Sequence, residues 1–227
     1  MINTHDKLRH EKPGYEKEGV IKYQLQFHEQ ALSEDEYLDE LNTSRRLLKE
    51  RGLIGQDPYR YGGDGFGNIS VRIKGLVFLI SGSQTGHLDV LTNRDVALVD
   101  HFTVDLNQLT AHGLTRPSSE SMTHGVCFQT YADITAVVHV HSPDIWNAME
   151  ALELPFTDQS IPYGTPQMAE AVAKVLKKNH QAWRPTIFAM KGHEDGIVAV
   201  GDSLASCTSS LLACLNQSIL MKRHLDE

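Results

Sequence analysis

One run constrains this chain more than any other: Ile134-Thr135-Ala136-Val137-Val138-His139-Val140-His141, the most apolar strand of the sequence, which ends by alternating valine with histidine. Strand periodicity of two sends Val138 and Val140 into a core and puts both imidazoles on the opposite face, where two ring nitrogens converge. Neutral imidazole is a good zinc ligand, and a catalytic zinc site takes three protein ligands plus an open position, the first two of which an HxH strand can supply. A pair of hydrogen-bonded histidines at a strand end explains the same pattern, so HxH alone leaves both readings open.

Around this strand the hydrophobic periods alternate between strand and helix. Ser33 and Glu36 form a capping box, and Leu38, Leu41, Leu47 and Leu48 make a helical stripe that Gly52 ends. The glycine-rich loop 62–67 leads into an alternating strand, Asn68 to Ile73, and a turn at Lys74-Gly75 returns the chain along Leu76 to Ile80 into the polar loop Ser81 to His87. Val96 to Val99 reads as a further strand. A helix through Met122, Val126, Phe128 and Tyr131 follows, with Ser118 or Ser119 as its N-cap and Glu120 in its first turn. Helices are expected from Pro143 to Met149, from Pro166 to Lys178 and from an Asp202 cap to near His224, with strands at Thr186 to Met190 and Ile197 to Val200. Residues 1–32 are polar and interrupted by Pro13, Gly14 and Gly19, which reads as an N-terminal arm preceding a single domain, 33–227.

Composition narrows the function classes. With 41% hydrophobic residues in 227, the chain can bury one large core. A formal net charge of -8 leaves no broad basic surface for a polynucleotide. Residues 1–20 lack the apolar stretch of a secretory signal, and no apolar run approaches the roughly 20 residues of a membrane span, so a cytoplasmic protein without membrane partners is expected. Cys127, Cys207 and Cys214 show no CxxC spacing and suggest buried thiols rather than a disulfide framework or a thiolate zinc site.

Glu120 follows two serines at a helix start, where a carboxylate is either an ordinary partner of the helix dipole or a group with chemical work to do. Ser118 and Ser119 either cap that helix or, with the backbone amides behind them, bind an anionic group. His124 lies one turn beyond Glu120 and can serve to hold it.

Gly67-Asn68-Ile69-Ser70, Pro117-Ser118-Ser119-Glu120, Ala136 to His141 and Ile161-Pro162-Tyr163, in that order, resemble the motifs of the class II aldolase/adducin family over about residues 33 to 222. The resemblance implies a three-layer α/β (αβα) fold whose central, mostly antiparallel sheet is flanked by helices. It also implies a metal-dependent aldehyde-lyase of carbohydrate metabolism, acting on a small hydroxylated carbonyl compound such as a sugar phosphate through a metal-stabilised enediolate. Carried over by position, His139, His141 and His193 resemble the ligands of zinc or another divalent cation, while Glu120 and Tyr163 resemble the groups that move protons. Asn68, Ser118 and Ser119, joined by Thr85 and Gly86, resemble a phosphate-binding set. Epimerisation and dehydration use the same enediolate, whereas adducin-like assembly domains of the family lack the metal histidines. Family members are commonly homotetramers, so a homo-oligomer is implied.

Overall fold

In the computed structural model, which describes residues 19–33 and 35–225, Ala136–His141 is a strand buried at every position. Such a strand needs a neighbour on each edge and a helical layer over each face. In chain order the strands are β1 (Gln24–Glu29), β2 (Gly55–Gln56), β3 (Gly65–Phe66), β4 (Asn68–Lys74), β5 (Val77–Ser81), β6 (Val96–Thr103), β7 (Gln108–Gly113), β8 (Ala136–His141), β9 (Thr186–Ala189) and β10 (Gly196–Gly201). Eight of them form one sheet in the order β1-β7-β6-β5-β4-β8-β10-β9, and β2 pairs with β3. The β1–β7 pair is parallel and the other neighbours are antiparallel, which makes the mostly antiparallel sheet implied by the sequence.

Among the described residues five α-helices cover the sheet: α1 (Asp35–Lys49), α2 (Ser121–Thr130), α3 (Pro143–Ala148), α4 (Pro166–Asn179) and α5 (Leu204–Leu225). On one face α2 and α4 pack around Phe78, Ile80, Val137, Val198 and Val200. On the other, α1, α3 and α5 pack around Val138, Val140, Ile197 and Ala199. The result is three layers, helix on sheet on helix.

Local chemistry explains several helix ends. Ser142 Oγ accepts from Ile145 N and Thr165 Oγ1 from Met168 N, each at 3.2 Å, and proline follows each cap at the first helical position. At the end of α1, Gly52 takes φ +65° and its N–H bonds Lys49 O at 2.9 Å, while Leu53 N bonds Leu48 O at 3.0 Å.

Four expectations need correction. The cap of α2 is Glu120 itself rather than a serine, because Ser118 Oγ accepts from Glu120 N at 3.2 Å and delays the helix by one residue. The cap of α5 is Ser203, whose Oγ accepts from Ser206 N at 3.2 Å, one residue after Asp202. β6 runs on to Thr103, and β7 was not anticipated, because half of each faces outward and carries polar residues that hide the alternation. Residues 24–29, placed by the sequence in the arm, form β1, whose Leu25 and Phe27 are only half-buried against the core. Residues 1–18 of that arm lie outside the described residues.

The stretch Leu204–Arg223 of α5 is also long and apolar enough by composition to cross a membrane, which the sequence reading passed over. Here its Leu204, Cys207, Leu211, Cys214 and Leu215 stripe packs into the core beside α1 and the sheet. Leu211→Ala should therefore lower the unfolding free energy by about 2–5 kcal/mol, whereas Leu220→Ala, at a position 55% exposed, should change it by less than about 0.5 kcal/mol. Urea unfolding of the two variants measures both, and equal effects would contradict the packing described.

Candidate metal centre and adjoining polar cleft

Alternation along β8 turns His139 and His141 to the face opposite Val138 and Val140, and both imidazoles are sealed from solvent. On the neighbouring strands Asn68 and Val198 are the register partners of His139, and Gly196 that of His141. Just before β10 the chain turns back on itself, with His193 N donating to Met190 O at 2.8 Å and Gly196 N to His193 O at 2.9 Å. A Cβ at Gly196 would stand 2.7 Å from His193 Cδ2, and one at Gly192 would stand 1.7 Å from Ile161 O. The two glycines thus let His193 fold over the end of the sheet and against the Ile161–Tyr163 segment.

Three imidazoles meet there. The ring centroids of His139 and His141 are 4.9 Å apart, those of His139 and His193 5.2 Å, and those of His141 and His193 4.8 Å. One ligand-capable nitrogen from each ring lies within 4.8 Å of those of the other two. His139 Nδ1 is 3.3 Å from Ile197 O, which can only accept, so Nδ1 carries the proton and Nε2 presents a lone pair. That Nε2 is 3.2 Å from His141 Nε2. Two nitrogens bound tetrahedrally to one zinc at about 2.0–2.1 Å stand roughly 3.3 Å apart, so the donor set fits a zinc-sized cation.

Electrostatics favour the ligand form of each ring. Burial pushes the His139 pKa down to about 4, with the hydrogen bond to Ile197 O opposing it in part. His141 and His193 are held well below the ordinary imidazole value, by burial first and then by the neighbouring imidazoles, with Arg60 adding to the effect at His141 and Lys22 at His193. All three are neutral at neutral pH, as a metal ligand must be.

Of the other expected site residues, Tyr163 packs against this cluster and Asn68 pairs in register with His139. Tyr163 is fully buried, its ring 4.4 Å from that of His193. Lys22 Nζ sits 3.7 Å over the Tyr163 ring and donates to Tyr163 O at 2.9 Å. Glu120 is fully buried at the start of α2, beside Ser118, whose carbonyl accepts from Tyr23 Oη at 2.8 Å and from Ser121 Oγ at 2.7 Å. His124, one turn further on, shares a 2.6 Å hydrogen bond with Ser70 Oγ and so ties α2 to β4. Asn68, Thr85, Gly86, Ser118 and Ser119 line one polar cleft, and the buried carboxamide oxygen Asn68 Oδ1 has no hydrogen-bond partner among the described residues. A Cβ at Gly86 would stand 2.1 Å from Gly55 O, which explains glycine in that wall.

Sequence reasoning missed several residues. Arg45 on α1 is buried and donates to the carbonyls of Thr85 at 2.6 Å and Gly86 at 3.2 Å, and to that of Leu88, holding the cleft loop from behind. Tyr61 lies edge-on to His141 at 4.6 Å and donates to Asp195 Oδ2 at 2.7 Å. Lys22 and Tyr23 bring the segment before β1 into the site. No local pattern marks these contacts, since each joins segments distant in the chain. His87 is exposed, its Nδ1 3.1 Å from Gln84 O and its carbonyl accepting from Lys49 Nζ at 3.3 Å.

A three-layer α/β fold that gathers three buried imidazoles beside a glycine-walled polar cleft defines an enzyme-like scaffold with a candidate metal centre. The chain belongs to the family described as Class II Aldolase and Adducin N-terminal domain, whose profile matches residues 58–217. Among solved structures it is similar to L-fuculose-1-phosphate aldolase from Thermus thermophilus, at 20% identity and a TM-score of 0.60 over 82% of this chain and 93% of that one. It is also similar to a sugar-phosphate aldolase from Thermotoga maritima, at 16% identity and a TM-score of 0.62 over 84% of this chain and 95% of that one. An aldolase II superfamily protein from Pseudomonas syringae matches at 17% identity with a TM-score of 0.57, over 85% of this chain and 79% of that one. These likenesses establish the fold.

Because the folded-state pKa of His139 lies below its ordinary 6.5, the unfolded chain binds more protons on acidification. The contribution of this group is complete above pH 6.5 and is lost as pH falls toward about 4. Urea midpoints of chelator-treated protein should fall across that window, and His139→Gln should flatten the fall. An equal slope in both proteins would contradict the burial of a neutral ring.

Proposed function

We propose that this protein is a metal-dependent lyase of the aldolase type that cleaves a small hydroxylated carbonyl compound, such as a ketose phosphate. One observation carries the reading: three neutral, desolvated imidazoles converge beside a cleft of uncharged hydrogen-bond donors. The solved relatives described as acting on L-fuculose 1-phosphate and on sugar phosphates support the substrate class. A pure assembly role gives no reason to strip water from three imidazoles.

His139, His141 and His193 would hold a divalent cation, zinc in this reading, which would supply Lewis-acid stabilisation of negative charge on the substrate carbonyl oxygen. Asn68, Thr85, Gly86, Ser118 and Ser119 bind the anionic end of the substrate through hydroxyls, amides and a carboxamide, with the start of α2 aimed at it. Glu120 takes the proton from the hydroxyl on the carbon that becomes the aldehyde, the carbon–carbon bond electrons pass to the carbonyl fragment, and the same proton is then returned to that fragment's carbon so that it leaves as a neutral ketone. Tyr163 serves the departing oxygen, oriented by the His193 ring beside it and by Lys22 over its face. Burial of the three imidazoles limits the access of bulk water to the fragment that carries the negative charge. The working form is a cytoplasmic homo-oligomer, a tetramer in this reading, in which exposed Tyr59 and Trp183 are candidates for subunit contact.

Protein purified without added metal should contain about one divalent cation per chain, and a screen of ketose phosphates should give aldehyde products that chelator abolishes. Epimerised or dehydrated products would move the reaction within the family, and a chain that binds no metal and turns over nothing would end the proposal. Glu120→Gln and Tyr163→Phe should each lower kcat by about 10²–10⁴ with metal content unchanged. Light scattering should give a mass several times that of one chain, and a monomer would remove the oligomer from this account.

A further inference from the structure

Left-handed backbone occurs on both sides of His141 at residues other than glycine. Tyr61 has φ +48°, followed by Gly62 at +68° and Gly63 at +83°, and Asp195 has φ +61°. Aspartate tolerates this region, but an aromatic residue seldom enters it, and strain of this kind persists where surrounding contacts over-determine it. A turn needed only to close the loop would place glycine at 61 as it does at 62 and 63.

The contacts that hold Tyr61 there converge on His141. Its ring stands 4.6 Å from the imidazole, inclined at 67°, and Phe66 adds a second aromatic wall at 5.8 Å. The Tyr61 hydroxyl donates to Asp195 Oδ2 at 2.7 Å and accepts from Arg60 Nη2 at 2.9 Å. Arg60 also donates to His141 O at 3.4 Å and to Gly52 O at 2.9 Å. Asp195 O accepts from Ser142 N at 2.9 Å, next to His141 in the chain, and Asp195 belongs to the turn that carries His193.

We propose that the Tyr61–Asp195 hydrogen bond is a latch that holds His141 and His193 in the mutual arrangement a divalent cation requires, an inference that rests on the metal-centre reading above. Tyr61 and Asp195 are positioning residues. The tyrosine ring fixes the plane of one ligand, the aspartate anchors the turn bearing another, and the bond between them makes the two orientations interdependent. Partners behind the ligands of a metal site typically change its affinity by roughly 10–100-fold when removed.

The test uses full-length protein. Zinc affinity is measured by competition with a chromophoric chelator, and site geometry by the visible absorption of the cobalt(II)-loaded form. Tyr61→Phe removes the hydroxyl and keeps the ring; Asp195→Gly removes the carboxylate and suits the local φ. Each should weaken zinc binding about tenfold and alter the cobalt spectrum, and the double variant should be no worse than either single one. Thermal unfolding of the metal-free proteins should change little, which separates positioning from plain stability. Wild-type affinity and spectrum in both single variants, or fully additive losses in the double, would overturn the latch while leaving the metal centre standing. A wild-type chain that binds neither zinc nor cobalt would remove the metal reading and the latch together.

Discussion

Desolvation of β8 governs the site. Helical layers on both faces and strands on both edges leave the imidazoles of His139 and His141 without water to solvate a positive charge, so the neutral ring is the stable form far below the pH at which an exposed histidine would protonate. The same burial that completes the core on the Val138 and Val140 face therefore prepares the opposite face for a cation. Core and site are two sides of one strand. A less deeply covered strand could carry the same two histidines without holding them in the ligand form at mildly acidic pH.

Around that strand the geometry is set largely by where side chains are absent or reach back. Gly196 and Gly192 clear the space in which the His193 turn approaches β10 and the Ile161–Tyr163 segment. Gly67, at φ +75°, brings the start of β4 close to His139 O. Arg45 works from the other direction, directing its donors to carbonyls of the loop that walls the cleft, so a helix in the far layer helps set the shape of the site.

Much of this architecture was legible in the sequence because it is written in local chemistry. Caps, prolines and apolar stripes located α1, α3, α4 and α5, alternation located β4, the hairpin turn after it located β5, and an apolar run located β8. His139 and His141 could be read as a pair from their spacing alone. His193, by contrast, lies in a turn with no metal-like local pattern, and its assignment came only through resemblance to a family. β1 and β7 escaped because strands near a solvated edge need few apolar residues, and α2 began late because a serine hydroxyl took the amide of Glu120. The contacts of Tyr61, Lys22 and Arg45 were beyond reach, since each joins segments that only the folded sheet brings together.

The polar cleft is lined by glycines, serines, a threonine, a glutamine and an asparagine, with no charged side chain among the described residues that line it. None of these groups gains or loses a proton between mild acid and mild alkali. The buried imidazole cluster next to it does so only in stronger acid, near pH 4 for His139. Acid strong enough to protonate those rings would thus alter one half of the pocket while the other keeps the same hydrogen-bonding groups, so that the two halves respond to pH separately.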